Sequence, residues 1–263
     1  VRTLSRLNGR MKVFDADELM SNDTPLPDAV SFHYYGGASQ RCHVPLLGTK
    51  ESGALDEDWL SGIDAAVRRT AALRDRFAPG APLWISESGE SACGGNPWAK
   101  DFVDTFRFVD QLARSARQGV QVFMHNTLAA SDYALLDEHS FAPRPNYWAA
   151  WLWRTFMGTT VLDAGAGTSG LHVYAHCLRD VPGGVAVLAI NLDRNDTRSL
   201  QLDGAGKLFA LTQGRAGPAE AALNGKPLAL GPDDTLPALH GIAFEAGEIR
   251  LAPASINFLS FEG

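Results

Sequence analysis

A short apolar run that ends in a carboxylate places the strongest constraint on how this chain can fold. The run Leu83–Ile85 lies between Pro79-Gly80 and a glycine-rich segment, and Glu87 follows it closely. A run of this length is typical of a buried strand rather than a helix. The next segment has a helical apolar face, with Asn96 as its expected cap and Gly119 as its stop. The stretch therefore predicts a β/α unit with an acid at the end of its strand.

Two further apolar runs predict strands of the same kind, near residues 29–33 and 120–124. Helical patterns follow them, over about 56–77 and 145–156. With the helix after Asn96, three strands alternate with three helices, which indicates parallel βαβ units with right-handed crossovers. Barrels of parallel strands build their active sites from the C-terminal ends of the strands. Glu87 is therefore a candidate catalytic acid.

The pattern changes after about residue 159. Leu171–Leu178 alternates with period two, Val185–Leu192 is a second strand-like run, and Ile256–Phe261 predicts a last strand. We therefore predict two domains, an α/β part over 1–158 and an antiparallel β-sandwich or small barrel over 159–263. A complete (β/α)8 barrel needs roughly 200 residues or more. The first part is then either a smaller α/β sheet or a portion of a barrel.

Composition argues against several function classes. The net charge of −7 argues against nucleic acid as a partner, because phosphate binding needs a basic surface. No apolar stretch is long enough to span a membrane, and we expect no signal peptide at the start. The cysteines Cys42, Cys93 and Cys177 are far apart and odd in number, which predicts neither a disulfide framework nor a zinc site. We expect no metal and no cofactor.

A series of short motifs follows in order from about Asp28 to the end of the chain. They include Phe32-His-Tyr-Tyr35, Trp84-Ile-Ser-Glu-Ser88, Gly94-Gly-Asn-Pro97, Asp132-Tyr-Ala-Leu-Leu-Asp-Glu138, Pro145-Asn-Tyr-Trp148, Met157-Gly-Thr-Thr-Val161 and Leu171-His-Val-Tyr-Ala-His-Cys177. In order and spacing, they resemble the heparanases and related β-glucuronidases of glycoside hydrolase family 79. That family consists of retaining glycosidases with an eight-stranded barrel followed by a β-sandwich.

The resemblance implies that this chain holds the C-terminal part of a (β/α)8 TIM barrel followed by an antiparallel β-sandwich. The family's acid/base glutamate follows an asparagine at an earlier strand end, and no Asn-Glu dipeptide occurs in this sequence. We therefore expect the acid/base to come from an N-terminal half of the same enzyme, encoded by the same gene or present as a separate chain. The implied substrate is a glycan containing glucuronic acid or a smaller β-glucuronide, and this substrate class favours a secreted or periplasmic location.

The resemblance also assigns roles to individual residues. Glu87 matches the catalytic nucleophile, and Tyr34 matches a tyrosine whose hydroxyl would lie near it. Tyr133 matches a residue that donates a hydrogen bond to the uronic acid carboxylate. Backbone N–H groups of one loop would bind the same carboxylate, and that loop contains Cys93, Gly94 and Gly95. Glu90, nearby, is expected to be a solvated loop acid.

Two other functions have to be weighed. The segment Gly89-Glu-Ser-Ala-Cys93 comes close to the Gly-x-Ser-x-Gly elbow of serine hydrolases, but the last glycine is missing and the serine lies beyond the strand. The chain could also be a non-catalytic glycan-binding fragment or a pseudoenzyme, because half of the catalytic pair is absent.

The histidines His172 and His176 share one face of a predicted strand, where we expect an exposed structural role.

Overall fold

The computed structural model describes residues 27–42, 50–165 and 167–263. Its first sheet has three strands, β1 (Val30–Tyr35), β2 (Leu83–Gly89) and β3 (Val120–His125), in that spatial order. Both neighbouring pairs are parallel, as the sequence predicts. Their C-terminal ends therefore lie at one edge of the sheet, where Glu87 is located.

The described part of the chain contains four α-helices, and they differ in detail from the sequence prediction. They are α1 (Glu57–Leu60), α2 (Gly62–Phe77), α3 (Phe102–Arg117) and α4 (Pro145–Phe156). The helix expected over 56–77 is interrupted at Ser61. Asn96 does not cap α3, because a 3-10 turn over Pro97–Lys100 comes first and Asp101 precedes the helix. The fourth helix has the predicted bounds.

The remainder of the chain is antiparallel. The larger sheet contains β4 (Met157–Leu162), β5 (Leu171–Leu178), β6 (Val185–Asn191), β8 (Gly206–Gln213), β9 (Ala221–Leu223), β10 (Lys226–Pro227), β11 (Ile242–Phe244) and β13 (Ser255–Phe261). Its order is β10-β9-β8-β13-β6-β5-β4, and β11 pairs with β8. A second sheet pairs β7 (Arg198–Leu202) with β12 (Gly247–Leu251). The predicted antiparallel pairing is confirmed.

One hydrophobic core joins the helices to the larger antiparallel sheet. Trp148 and Leu152 of α4 and Phe106 of α3 belong to the same buried cluster as Leu188 and Phe258 of the sheet. A separate cluster contains residues of the larger sheet together with residues of the two-stranded sheet, among them Leu171, Ala189, Leu202, Leu251 and Leu259. The antiparallel part thus packs directly on α3 and α4, and these helices help to hold the parallel sheet beside it.

Both histidines of β5 contradict the expectation of an exposed role. His176 is buried, and its Nδ1 lies 2.7 Å from the carbonyl oxygen of Gly158. The side chain of His172 is only 13% exposed. Each imidazole is directed towards the rest of the protein rather than solvent, because β5 lies between β6 and β4 in the sheet that packs on the helices.

His172 belongs to a cluster of charged groups between α3 and β5. The fully buried carboxylate of Asp110 lies 2.7 Å from His172 Nδ1 and accepts hydrogen bonds from Tyr174 at 2.6 Å and Arg114 at 2.6 Å. Glu57 lies 2.9 Å from the other ring nitrogen of His172. Burial alone would lower the pKa of His172, but the hydrogen bond and negative charge of Asp110, with the charge of Glu57, raise it.

This cluster predicts that stability falls as the solution becomes more alkaline. A raised pKa in the folded state means that the contribution of His172 is complete below its unfolded pKa of about 6.5 and is lost above its folded pKa. Replacing His172 with Gln should lower the unfolding free energy at pH 6 by about 1.5–3 kcal/mol, the size of a charge-assisted hydrogen bond. Thermal denaturation of wild type and His172→Gln at pH 6 and pH 9 measures this loss of stability.

The exposed His139 provides the matched control for this measurement. His139→Gln should leave the melting temperature unchanged at both pH values. The difference in melting temperature between wild type and His172→Gln should be smaller at pH 9 than at pH 6. An equal difference at both pH values would show that the charge of His172 contributes nothing to stability.

Candidate active site

The ends of the three parallel strands bring together a carboxylate, a tyrosine and an asparagine. The Tyr35 hydroxyl donates to Glu87 Oε1 at 2.5 Å, and Asn126 Nδ2 donates to the Tyr35 oxygen at 2.8 Å. His33 Nδ1 lies 3.5 Å from the other oxygen of Glu87. The Glu87 side chain is 39% exposed. The site therefore holds a carboxylate by one oxygen at an open rim, within reach of a ligand.

The tyrosine whose hydroxyl contacts Glu87 is Tyr35. The sequence prediction of Tyr34 for this contact is therefore wrong. Successive strand residues point to opposite faces. Tyr34 belongs with Phe32 to the partly buried residues that pack beneath α2, and a Cβ added at Gly62 would lie 2.8 Å from its hydroxyl oxygen. Burial raises the pKa of Tyr34 to about 12. Tyr34 therefore lies on the face of the sheet away from Glu87.

Burial and the hydrogen bond to Glu87 also raise the pKa of Tyr35. Its hydroxyl consequently keeps its proton at neutral pH. A protonated phenol can donate to the carboxylate, whereas a phenolate would repel it. The Tyr35–Glu87 contact is therefore a stable donor–acceptor pair in the neutral range.

Tyr133 is buried at the same rim. Its ring occupies the space beside two glycines, because a Cβ added at Gly89 or Gly95 would lie 2.9 or 2.7 Å from ring carbons. The Tyr133 carbonyl oxygen lies 2.7 Å from His125 Nε2. Burial, and after it the positive charge of Arg107, lower the pKa of His125 to about 4. The neutral imidazole must donate through Nε2, since a carbonyl oxygen can only accept.

The loop after β2 has an unusual backbone. Cys93, Gly94 and Gly95 have φ values of 68°, 82° and 82°, a run in the left-handed region. The Gly95 N–H donates to the Ser91 carbonyl at 3.1 Å, so this predicted donor is already engaged. Within the described part of the chain, the N–H groups of Cys93 and Gly94 have no acceptor. The loop therefore offers two adjacent free donors, and consecutive backbone N–H groups of this kind bind anions.

A disulfide joins Cys42 to Cys93, contrary to the expectation of no disulfide framework. It links the loop after β1 to the loop after β2. Arg41 strengthens the same connection, because its guanidinium donates to the Gly94 carbonyl at 3.2 Å and pairs with Asp132 at 2.5 Å. Asp132 N–H also donates to the Gly94 carbonyl at 3.0 Å. Three rim loops are therefore tied together.

Glu90 is not a solvated loop acid as expected, because it is 0% exposed. Both of its oxygens accept hydrogen bonds from Asn96. Burial, and after it the negative charge of Asp104, raise the pKa of Glu90. Since a glutamate in a polar loop is usually exposed, its local sequence carries no signal for this position.

Comparisons with known proteins agree with the motif order. The chain is 30% identical to heparanase of Gallus gallus over 245 residues, which are 86% of this chain and 45% of the relative. It is 35% identical to heparanase-like protein 1 of Arabidopsis thaliana over 63% of this chain and 30% of that protein. Baicalin-β-D-glucuronidase of Scutellaria baicalensis is 28% identical over 70% and 36%, respectively. The chain thus spans less than half the length of these relatives.

Solved structures of glycoside hydrolases share this fold. A 4-O-α-L-rhamnosyl-β-D-glucuronidase of Fusarium oxysporum 12S has a TM-score of 0.65 at 11% identity, and the match covers 95% of this chain and 57% of that chain. A family 51 arabinofuranosidase of Xanthomonas axonopodis pv. citri has a TM-score of 0.63 at 17% identity, over 93% and 55%. At these identities the likeness concerns the fold alone.

No family model matches the chain. Its sequence relatives are nevertheless heparanases, heparanase-like proteins and a β-glucuronidase, and they agree with the resemblance carried by the motifs. In sequence, the chain is therefore similar to the heparanases and β-glucuronidases of glycoside hydrolase family 79.

Proposed function

We propose that the chain is part of a retaining glycoside hydrolase that cleaves β-linked glucuronic acid, with Glu87 as the nucleophile. The observation that carries this proposal is the carboxylate of Glu87, which is partly exposed at the rim and held through one oxygen by the Tyr35 hydroxyl at 2.5 Å. The second oxygen accepts no hydrogen bond from the described residues, although His33 Nδ1 lies 3.5 Å away, and it can attack an anomeric carbon. Tyr35, in place of Tyr34, is then the residue that orients the nucleophile.

A retaining mechanism needs a second carboxyl group about 5–5.5 Å from the nucleophile, which protonates the leaving oxygen and later activates water. Glu90 does not fit that role, because it is buried and engaged by Asn96. Within the described residues, β1 and β3 each have one edge without a partner strand. We therefore keep the proposal that an N-terminal half supplies the other strands and the acid/base residue, and we refer to both parts together as the complete enzyme.

The donors at the rim favour an anionic sugar. Two free N–H groups, of Cys93 and Gly94, lie on the loop against which Tyr133 packs. A carboxylate that accepts such hydrogen bonds is bound more tightly than a neutral hydroxymethyl group, because charge-assisted hydrogen bonds are roughly twice as strong. The proposed substrate is therefore a glucuronide, either a heparan sulfate-type glycan or a smaller molecule, cleaved internally or from one end.

Two features bear on location and on the alternative function. The Cys42–Cys93 disulfide supports the proposed secreted or periplasmic location, because disulfides persist in oxidising compartments. Among the described helices, none has the length and apolarity needed to cross a membrane. A non-catalytic glycan-binding fragment would keep the same donors. It differs from the enzyme in that no added barrel half would restore hydrolysis.

Substrate discrimination tests this function. Replacing Tyr133 with Phe in the complete enzyme should reduce kcat/KM for an aryl β-glucuronide by about 10- to 100-fold, since it removes a donor to a charged group worth roughly 1.5–3 kcal/mol. Hydrolysis of the matching β-glucoside should change far less. Steady-state kinetics on both substrates gives the ratio of kcat/KM for the glucuronide to kcat/KM for the glucoside.

Tyr34→Phe is the matched control, because it removes a hydroxyl from the opposite face of the same sheet. This variant should leave the ratio of glucuronide to glucoside hydrolysis unchanged. An equal loss on both substrates in Tyr133→Phe would refute the carboxylate-binding role of Tyr133.

A further inference from the structure

We propose that Glu90 is a positioning residue that holds the anion-binding loop in shape without touching the substrate. This inference rests on the proposed glucuronidase function and adds a residue to its specificity site. Glu90 follows β2 directly and is fully buried beneath the loop that contains Cys93 and Gly94. Burying an acid without partners is strongly unfavourable, so the hydrogen bonds that Glu90 makes explain how it can lie there.

These hydrogen bonds close the loop on itself. Glu90 Oε2 accepts the backbone N–H of Asn96 at 2.8 Å, and Oε1 accepts the Asn96 side-chain amide at 2.9 Å and the Ser91 hydroxyl at 2.7 Å. Residues 90 and 96 are therefore clamped together, and the left-handed run lies between them. The clamp determines where the chain can turn.

Asn96 also transmits this order to the neighbouring loop. Its side-chain oxygen accepts the backbone N–H of Gln40 at 3.2 Å, while Gly36 N–H donates to the Glu90 carbonyl at 3.2 Å. The disulfide and the Arg41 contacts hold the outer side of the loop, whereas Glu90 holds its inner side. Loss of Glu90 would leave the outer ties intact but let the free N–H groups of Cys93 and Gly94 move apart.

Exchanging the donor and acceptor groups gives a sharp test. In Glu90→Gln, one carboxylate oxygen is replaced by an NH2 group, which can only donate. In either orientation of the new amide, this NH2 group would face the backbone N–H or the side-chain NH2 of Asn96, so one hydrogen bond is lost. In the double variant Glu90→Gln/Asn96→Asp, the new amide at position 90 could donate to the new carboxylate at position 96 and still accept the backbone N–H of that residue. Total charge is also conserved. The double variant should therefore restore the clamp, whereas the single variant breaks it.

The measurement is kcat and KM of the complete enzyme on an aryl β-glucuronide and the matching β-glucoside. Glu90→Gln should raise KM for the glucuronide by about 10-fold or more, the effect of one hydrogen bond to a charged group, with less than about a twofold change for the glucoside. The double variant should recover most of the loss. Hydrogen exchange at residues 91–96 should be faster in the single variant and near wild type in the double variant.

Asn191→Ala supplies the control for a merely structural effect. Asn191 is a buried side chain of the antiparallel sheet that donates to three backbone carbonyls, those of Asp196, Leu251 and Ala252. This variant should lower stability without changing the substrate ratio. If Glu90→Gln does not fold, the double variant decides, because it must fold and retain the glucuronide preference.

Several results would overturn the inference. An unchanged ratio of glucuronide to glucoside hydrolysis in Glu90→Gln would overturn the inference while leaving the proposed function intact. A double variant that recovers none of the loss seen in the single variant would do the same. A wild-type enzyme that cleaves glucosides as well as glucuronides would overturn the proposed function and this inference together.

Discussion

Replacing Glu87 with Gln is expected to reduce hydrolysis of an aryl β-glucuronide by the complete enzyme at least ~10⁴-fold, in line with the loss of a catalytic nucleophile. Glutamine has nearly the same shape, so the Tyr35 hydroxyl keeps an acceptor and the fold should be unaffected. An activated 2-fluoro-glucuronide should label the wild type covalently. Mass spectrometry of peptides would then locate the sugar on Glu87.

The control for this experiment is Glu138→Gln, which alters an exposed acid of the β3–α4 loop. It should retain labelling and most of the activity. Labelling of any residue other than Glu87, or a Glu87→Gln variant with more than a small fraction of wild-type activity, would contradict the assignment of the nucleophile.

The second large effect concerns the proposed partner. The 263-residue chain alone should show negligible turnover of natural glucuronides, because the acid/base is proposed to lie in the N-terminal half and general acid catalysis typically contributes 10²–10⁴-fold. Adding that half, in cis or as a separate chain, should restore activity. An activated leaving group hardly needs protonation, so 2-fluoro-glucuronide labelling should depend less on the added half.

The decisive comparison is between restored samples that carry Glu87 and Glu87→Gln. Only the first should turn over substrate. Robust hydrolysis by the isolated chain would overturn the proposal, and the proton donor would then have to be sought among its own acids. Glu138 would be examined first, because Glu90 is buried and engaged by Asn96.

Much of the fold could be predicted because it follows from local patterns. Short apolar runs predict β2 and β3, and a helical apolar face predicts α4. The alternation of these strands with helices predicts that the strands are parallel. Glu87 could be chosen as a candidate because it lies two residues beyond the apolar run Leu83–Ile85. These features depend on neighbours within a few residues, so a single sequence contains them.

The details of the site depend on contacts between distant residues. Tyr34 and Tyr35 are chemically alike, and only the direction of β1 within the sheet, with its register shift between Phe32 and His33, decides which one contacts Glu87. The Cys42–Cys93 pairing spans 51 residues and depends on two loops meeting at the rim. No pattern of spacing in one sequence contains that information.

The direct passage from α4 into β4 has a practical consequence for dividing the gene. The helix ends at Phe156 and the strand begins at Met157, so no linker exists at which the chain could be cut cleanly. The Phe156 ring lies 4.5 Å from that of Phe209 and 6.0 Å from that of Phe258. Expression of the α/β part without the antiparallel sheets would expose this aromatic cluster and favour aggregation. Any reconstitution with an N-terminal half should therefore keep the chain whole from β1 to β13.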